Sequence, residues 1–403
     1  MKIFLICCEK SGNNLLCKIL QQLKQELKNF EDIEFAGVLF SDTALEFNIK
    51  QLFSPQELAV IGIGDILFNF PKIVDRITDV ANYVYDFQPD LFISVDAYDF
   101  CVRVAKKVRK MRKNTKENHK PIFMWHIVAP SVWAYWSFRA KTLAKYYDRL
   151  FYLLPFERQY FKPLEVVKCK NGRGFLSTFI GYPATFQKRN ESITKDNELI
   201  GITLGSRNGE VYRHKHLILS IIMKLKMINQ NFKFAIFTTT ETHEFIKKIF
   251  GEFNNINFYN NEEDKKKIIQ QCVLCIAKSG TNNIEIGALG TPMVTYYKTS
   301  CLTYLFAKLF AKIKFINLFN ITLKKDIIPE FIQKQATADN IVAATMHLLT
   351  NNGIRMQQVQ QIDKAIRIMQ RQDGFTPTAV VADNIRQFFT ALCDDENKHH
   401  SLS

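Results

Sequence analysis

Apolar residues in this chain cluster in short unbroken runs, separated by longer stretches with helical periodicity. Lys2 to Cys8 reads as a buried strand, followed by a Ser-Gly turn, a helical pattern from Leu15 to about Leu27, and a second strand near Ile33 to Leu39. The strand, helix, strand rhythm returns at Leu91 to Val95, Ile122 to Ile127 and Leu150 to Leu154. Alternation of this kind predicts parallel sheets with helices on both faces. A polar stretch from Gln187 to Glu198 interrupts it and reads as a linker. Beyond it the spacing predicts strands at Leu199 to Leu204, Phe232 to Thr238, Cys272 to Ala277 and Met293 to Tyr297, with a helix from His216 to Ile228. From about Ala338 to Cys393 the pattern is helical, broken at Gly353 and Gly374. The expected organisation is α/β: two doubly wound Rossmann-like domains facing a cleft, at 1–186 and 199–350, joined by 187–198 and followed by C-terminal helices at 351–403.

Composition narrows this picture. At 403 residues two domains are the better prior, and 47% hydrophobic with 23% charged residues describes an ordinary folded chain. The net charge of +15 points to anionic partners: nucleotides, phosphorylated substrates, nucleic acid or an acidic membrane surface. Nine cysteines in no framework spacing fit a reducing cytosol. The run Ile3 to Cys8, closed by Glu9, is too short for a signal peptide's apolar region, and no stretch of about 18 apolar residues predicts a membrane span.

Two glycine turns carry the most chemistry. Leu204-Gly205-Ser206-Arg207 and Lys278-Ser279-Gly280-Thr281 each follow a predicted strand and open a predicted helix, where unpaired amides and the helix dipole favour a phosphate. The simplest ligand for both is a diphosphate. Arg207 adds a fork suited to its oxygens, and Glu285, one turn past Thr281, can accept from ribose hydroxyls. An ordinary N-cap with a solvated Glu285, and a surface arginine in a tight turn, explain the same spacings. Asp96 stands at the carboxyl end of a predicted strand, either as general base for a hydroxyl nucleophile or as a turn former. Asp99 is the alternative base, and His126 a third candidate for proton transfer or else a buried structural histidine.

Other features weigh less. Cys272 and Cys275 have C-x-x-C spacing, but strand residues three apart face opposite ways and no second pair lies near, so no metal or redox site is expected. The basic run Lys106 to Lys120 contains no aromatic residue and reads as a solvated loop rather than a nucleic-acid platform. Ile66, Leu67, Phe70, Ile73 and Val74 form one helical face, edged by Lys72 and Arg76, that either packs on the core or docks on a membrane surface.

Read together, several blocks resemble one family. Glu9-Lys10-Ser11-Gly12, Glu57-Leu58-Ala59-Val60-Ile61-Gly62, Asp96-Ala97-Tyr98-Asp99-Phe100, Ala129-Pro130-Ser131-Val132-Trp133-Ala134, Leu154-Pro155-Phe156-Glu157, Gly205-Ser206-Arg207 and Ser279-Gly280-Thr281 with Glu285 occur in the order seen in bacterial lipid-A-disaccharide synthases. The resemblance runs to about Gln335, and its Pro-Ser-Val-Trp-Ala block is highly specific. It implies a GT-B glycosyltransferase without metal or other cofactor, which joins UDP-2,3-diacylglucosamine to 2,3-diacylglucosamine 1-phosphate through a β-1,6 linkage and releases UDP. It further implies that Asp96, Arg207 and Asn320 are catalytic. Substrate-binding residues would be Glu9, Ser11, Gly12, Asp99, His126, Gly205, Ser206, Ser279, Gly280, Thr281 and Glu285. The N-terminal domain would take the acceptor and face the membrane, and the second domain the UDP-sugar. The apolar face at residues 66–74 would dock peripherally on anionic lipid at the inner face of the bacterial inner membrane. A homodimer through C-terminal exchange is also implied; a nucleic-acid partner is not.

The chain departs from that pattern at Cys8 (glycine in the family), Asn13 (aspartate), Leu204 (proline) and Lys324-Lys325-Asp326 (glycine, arginine, glutamate). Two other functions remain open on the residues alone. One is a different UDP-sugar enzyme of the same fold, an epimerase or a peptidoglycan glycosyltransferase. The other is a basic nucleic-acid binder, which would leave the two turns idle.

Overall fold

A computed structural model describes residues 1–27, 29–59, 66–114, 120–166, 174–300, 304 and 314–400, with only the backbone course at 58–59, 66–70, 114 and 393–400. The chain divides into two compact units, Met1–Pro183 with Arg371–Ser403, and Ala184–Gln370.

The first unit is built on a parallel sheet. Its strands are β1 (Lys2–Cys7), β2 (Glu34–Val38), β3 (Lys50–Gln51), β4 (Leu91–Val95), β5 (Phe123–Ile127), β6 (Arg149–Tyr152) and β7 (Leu176–Phe179), in the order β3-β2-β1-β4-β5-β6-β7. The second unit repeats the plan with β8 (Asp196–Thr203), β9 (Lys233–Phe237), β10 (Ile256–Tyr259), β11 (Cys272–Lys278), β12 (Met293–Tyr297) and β13 (Glu330–Ile332), in the order β10-β9-β8-β11-β12-β13. In each sheet the chain enters at the middle, builds outward to one edge, then crosses back to build the other. The reversal falls between β1 and β4, and again between β8 and β11. Open parallel sheets bind ligands outside the carboxyl ends of the strands at such a switch point.

The two faces of the first sheet bury separate cores. One packs Phe4, Phe92, Val104 and Leu150, the other Leu5, Leu16, Ile19, Ile93 and Phe151. The second unit's core gathers Ile202, Ile218, Ile222, Phe234, Ile276 and Val294.

Three local expectations change. The helices Lys10–Glu26 and Asn208–Ile228 begin at the turns themselves, not at Leu15 and His216, because glycine and polar residues dominate the first turn of each. The C-terminal residues do not form one tail. Asn352–Met369 belongs to the second unit, where Gln358 clamps both backbone polar groups of Met293, while in Pro377–His400 the side chains of Val381, Ala382 and Ile385 join the first unit's core. The stretch 187–198 is not a free tether: Arg189 donates to the carbonyls of Ala288 (2.8 Å) and Gly287 (3.2 Å), capping the end of the helix Asn282–Ala288.

The opposite-faces argument for Cys272 and Cys275 is also overturned. A bulge breaks the β8–β11 register between Cys272 and Leu274. A Cβ on Gly201 would sit 2.5 Å from Cys275 Sγ and 3.2 Å from Cys272 Sγ, so both thiols crowd the same glycine. Both are free and buried.

Candidate functional site

In the first unit the loops after β1 and β4 meet at the switch point. Gly12, in the first turn of the helix after β1, is buried; a Cβ there would lie 3.2 Å from Cys7 Sγ and Val95 Cγ1 and 3.4 Å from Asp96 Cβ. Glycine therefore lets this helix start rest against the ends of both strands. Ser11 is exposed and Glu9, extended at φ −111°, leads into the helix. Asn13 accepts from the Thr43 hydroxyl at 3.0 Å, a local use for the amide that replaces the family's aspartate.

Asp96 follows β4 directly. Its amide donates to the Ile127 carbonyl at 2.9 Å, and its Oδ1 accepts from the Ala97 amide at 2.9 Å. Asp96 and Ala97 have φ of 56° and 43°, and Val128, after the neighbouring strand β5, has φ of 76°. Left-handed backbone is rare at a β-branched residue, and strain of this kind collects at functional sites. Burial raises the Asp96 carboxyl's proton affinity, the charge of Glu9 raises it further, and the Ala97 hydrogen bond opposes both. At the family's glycine position stands Cys8, whose thiol burial and the charges of Glu9 and Asp96 push up to about 12.

The two other proton-transfer candidates are placed differently. Asp99 is exposed and holds Arg139, one guanidinium nitrogen lying 2.9 and 2.8 Å from its two carboxylate oxygens. His126 is wholly buried in β5, its Nδ1 2.7 Å from Ser94 Oγ, which in turn lies 2.9 Å from the Tyr147 hydroxyl. Burial pulls its pKa down to about 3, so it stays neutral inside the core. The structure corrects the proton-transfer reading of His126 to that of a core histidine.

Glu157 closes the Leu154-Pro155-Phe156-Glu157 block. It is buried, its Oε2 accepting from the Leu154 amide at 3.0 Å, and burial pushes its carboxyl up to about 8 against the hydrogen bonds from the Leu154 and Leu153 backbone. Nothing in Leu-Pro-Phe-Glu marks the glutamate as buried. Of the proposed docking face, the side chains of Ile66, Leu67 and Phe70 lie outside the described residues. Within the helix Ile66–Phe87, Ile73 packs against the core and Val74 is exposed.

In the second unit both glycine turns lie at the switch point, after β8 and β11. Gly205 has φ of 130°, and a Cβ there would strike Glu210 Oε2 at 2.4 Å. Arg207, exposed and extended at φ −123°, is the N-cap residue of the helix Asn208–Ile228. Ser206 is exposed and its amide donates to Glu210 Oε2 at 3.1 Å. In the second turn Ser279 is buried, Gly280 and Thr281 are exposed and Glu285 is half-buried. Gly280's amide donates to Asn283 Oδ1 at 2.8 Å. The Thr203 hydroxyl ties the turns together, accepting from the Lys278 amide (3.1 Å) and the Asn282 side chain (2.8 Å). His214, which the sequence did not single out, spans the Leu204 and Lys298 carbonyls at 2.9 and 3.1 Å.

Asn320 is also buried. Its Oδ1 accepts from the Ile327 and Ile328 amides at 3.0 Å, and its Nδ2 donates to the Ile328 carbonyl and Glu330 Oε1 at 2.8 Å. The Asn320 amide thus brackets the turn at 324–328. Glu330, unmarked by the sequence, also accepts from the Ile316 and Asn317 amides at 2.9 and 2.8 Å. Burial raises its carboxyl, partly offset by these bonds. Among the described residues no three His, Cys, Asp or Glu side chains are grouped to hold a metal ion, and no helix is long and apolar enough to cross a membrane.

Comparison with known proteins follows the same outline. The sequence model of a family described as lipid-A-disaccharide synthetase matches residues 3–379. Lipid-A-disaccharide synthase of Rickettsia prowazekii (strain Madrid E) is 34% identical over 397 residues, covering 96% of this chain and 99% of that protein. Among solved structures, MnaA of S. aureus with UDP has a TM-score of 0.60 at 12% identity, covering 96% of this chain and 97% of its own. UDP-GlcNAc 2-epimerase from Neisseria meningitidis bound to UDP-GlcNAc has a TM-score of 0.58 at 12% identity, covering 96% and 100%. At such identity the two structures share the fold alone.

Proposed function

The chain belongs to the lipid-A-disaccharide synthetase family and is a GT-B glycosyltransferase of lipid A biosynthesis that uses a UDP-sugar, and from that premise we propose how its own residues divide the reaction. The donor is UDP-2,3-diacylglucosamine and the acceptor 2,3-diacylglucosamine 1-phosphate. The N-terminal unit supplies the base and the second unit holds the nucleotide. Asp96 takes the proton of the acceptor's 6-hydroxyl as its oxygen bonds to the donor's anomeric carbon. The bond from that carbon to the diphosphate breaks with inversion, and UDP leaves with the electron pair. Arg207 and the amides of the turns at 205–206 and 279–281 stabilise the departing charge, in preorganised form. Glu285 accepts from the ribose hydroxyls.

One observation carries this reading: in both units the motif-bearing loops follow the two strands that flank the sheet's switch point. The test is UDP release from the acylated donor and acceptor. Release that depends on both and is lost in Asp96→Asn supports the reading; release from unacylated UDP-N-acetylglucosamine alone, with epimerised sugar, favours an epimerase.

The helix Ile66–Phe87 holds the protein peripherally on anionic lipid at the cytoplasmic face of the inner membrane. Replacing Phe70 and Val74 with serine releases it from anionic vesicles if this is right, with the thermal melt unchanged. The segment that includes Pro377–His400 exchanges between two copies in a homodimer, which light scattering on the full chain and on a chain ending before Pro377 distinguishes from a monomer.

A further inference from the structure

Lys278 ends β11, one residue before Ser279, and its ammonium lies 2.7 Å from Glu210 Oε1. Glu210's second oxygen accepts the Ser206 amide at 3.1 Å. A single carboxylate therefore holds one donor from each glycine turn. Both side chains are largely out of solvent, 16% exposed for Lys278 and 23% for Glu210. The ammonium reaches back over the second turn, where a Cβ on Gly280 would lie 3.9 Å from it, and it sits 5.5 Å from the centroid of the Tyr297 ring. In the same turn the Ser279 hydroxyl is buried with no hydrogen-bond partner among the described residues.

The arrangement already treats this edge as an anion site. A carboxylate sits at the start of the 21-residue helix Asn208–Ile228, on a backbone amide and an ammonium, the donor set a phosphate oxygen uses. A diphosphate carries more charge and more acceptor oxygens than one carboxylate, so it competes for both donors, while a carboxylate left beside it repels it.

We propose that Glu210 and Lys278 form a charge-exchange pair: the donor's diphosphate takes the Lys278 ammonium and the Ser206 amide from Glu210, which makes Lys278 a diphosphate-binding residue and Glu210 its built-in competitor. The proposal rests on the nucleotide reading above. It gives a function to a lysine that neither the family resemblance nor the glycine turns had assigned. The buried Ser279 hydroxyl is available as a further donor to the same group.

The experiment is calorimetric titration of the full chain with UDP and, separately, with uridine. Lys278→Met weakens UDP binding about ten- to hundred-fold and leaves uridine binding unchanged. Lys278→Arg keeps most of the UDP affinity. Glu210→Gln tightens UDP several-fold. Because Lys278→Met strands a buried carboxylate, the double variant Lys278→Met with Glu210→Gln, which removes both charges, is the control for folding. It binds UDP more weakly than Glu210→Gln alone. Equal UDP affinity in Lys278→Met and wild type overturns the inference. So does a parallel loss of UDP and uridine, or weaker UDP binding in Glu210→Gln, since either shows that the pair only organises the turns. Wild-type protein that binds no UDP overturns the nucleotide reading as well, which separates the two failures.

Discussion

Asp96 Oδ1 accepts the Ala97 amide at 2.9 Å while both residues stand at positive φ, so the candidate base is fixed on a strained turn by the residue that shares its strain. The hydrogen bond favours the ionised carboxylate, yet burial and the Glu9 charge outweigh it and raise its proton affinity. A base must be ionised to act. The rate therefore climbs as pH rises through the Asp96 titration, with a midpoint above that of an exposed aspartate. Asp96→Asn loses turnover and still binds UDP. Glu9→Gln removes a charge that disfavours ionisation and moves the acid limb of kcat/KM to lower pH; a limb that stays put rules out the electrostatic link.

Glu157 gives stability its own pH dependence. Its folded-state pKa of about 8 lies above that of an exposed glutamate, so between the two values the folded chain holds a proton that the unfolded chain has lost. Stability falls as pH rises through this window, and the loss is complete above about 8. Glu157→Gln flattens that slope. Urea midpoints at pH 5.5 and 8.5 for the two proteins check it, and parallel slopes would refute it.

Removing the Asn320 amide leaves the buried Ile328 without the acceptor for its amide and the donor to its carbonyl, while the Ile327 amide keeps the Lys325 carbonyl. Each buried unsatisfied group costs about 1–3 kcal/mol, so Asn320→Ala lowers unfolding free energy by on the order of 3 kcal/mol. Thermal or urea unfolding measures this directly. A loss of turnover at unchanged stability would instead show that Asn320 touches substrate.

Lys324 closes the helix Leu318–Leu323 at φ 54°, where the family pattern has glycine. Left-handed backbone costs a side-chain-bearing residue roughly 1–2 kcal/mol. Glycine adds about 0.4–1 kcal/mol of unfolded-chain entropy, which is smaller. Lys324→Gly therefore raises the unfolding free energy, by roughly 0.8 kcal/mol between the midpoints of these two ranges, and Tm with it. A lower Tm would show that the lysine side chain compensates its strained backbone.

Legibility in the sequence followed burial on both sides. The central strands, such as β4 (Leu91–Val95) with every residue buried, read as unbroken apolar runs and were located to within a few residues. The strands without such a signal were β3, β7, β10 and β13, and these are the four sheet edges. Leu176–Phe179 is half-buried throughout, and Lys50–Gln51 is polar, so neither presents an apolar run. Gly205 marked its switch-point turn because the backbone there has φ of 130°, whereas Gly280 has ordinary backbone and open space, a Cβ there meeting nothing nearer than 3.5 Å. Glu157 and Asn320 look like surface residues in their motifs, since nothing local reports what packs over them.

What the sequence determined by itself was the alternation of strand and helix, the position of both glycine turns and the family. These are properties of short windows, set by backbone geometry and local hydrophobicity. Tertiary structure decided which charges meet. Glu210 and Lys278 are 68 positions apart, and they form a pair because β8 and β11 are neighbours across the sheet's reversal. It also decided that His126 is silent and that Cys272 and Cys275 share a face, through burial in one case and a bulge in the other. Burial and charge depend on residues that become neighbours only on folding, so no window of sequence contains them.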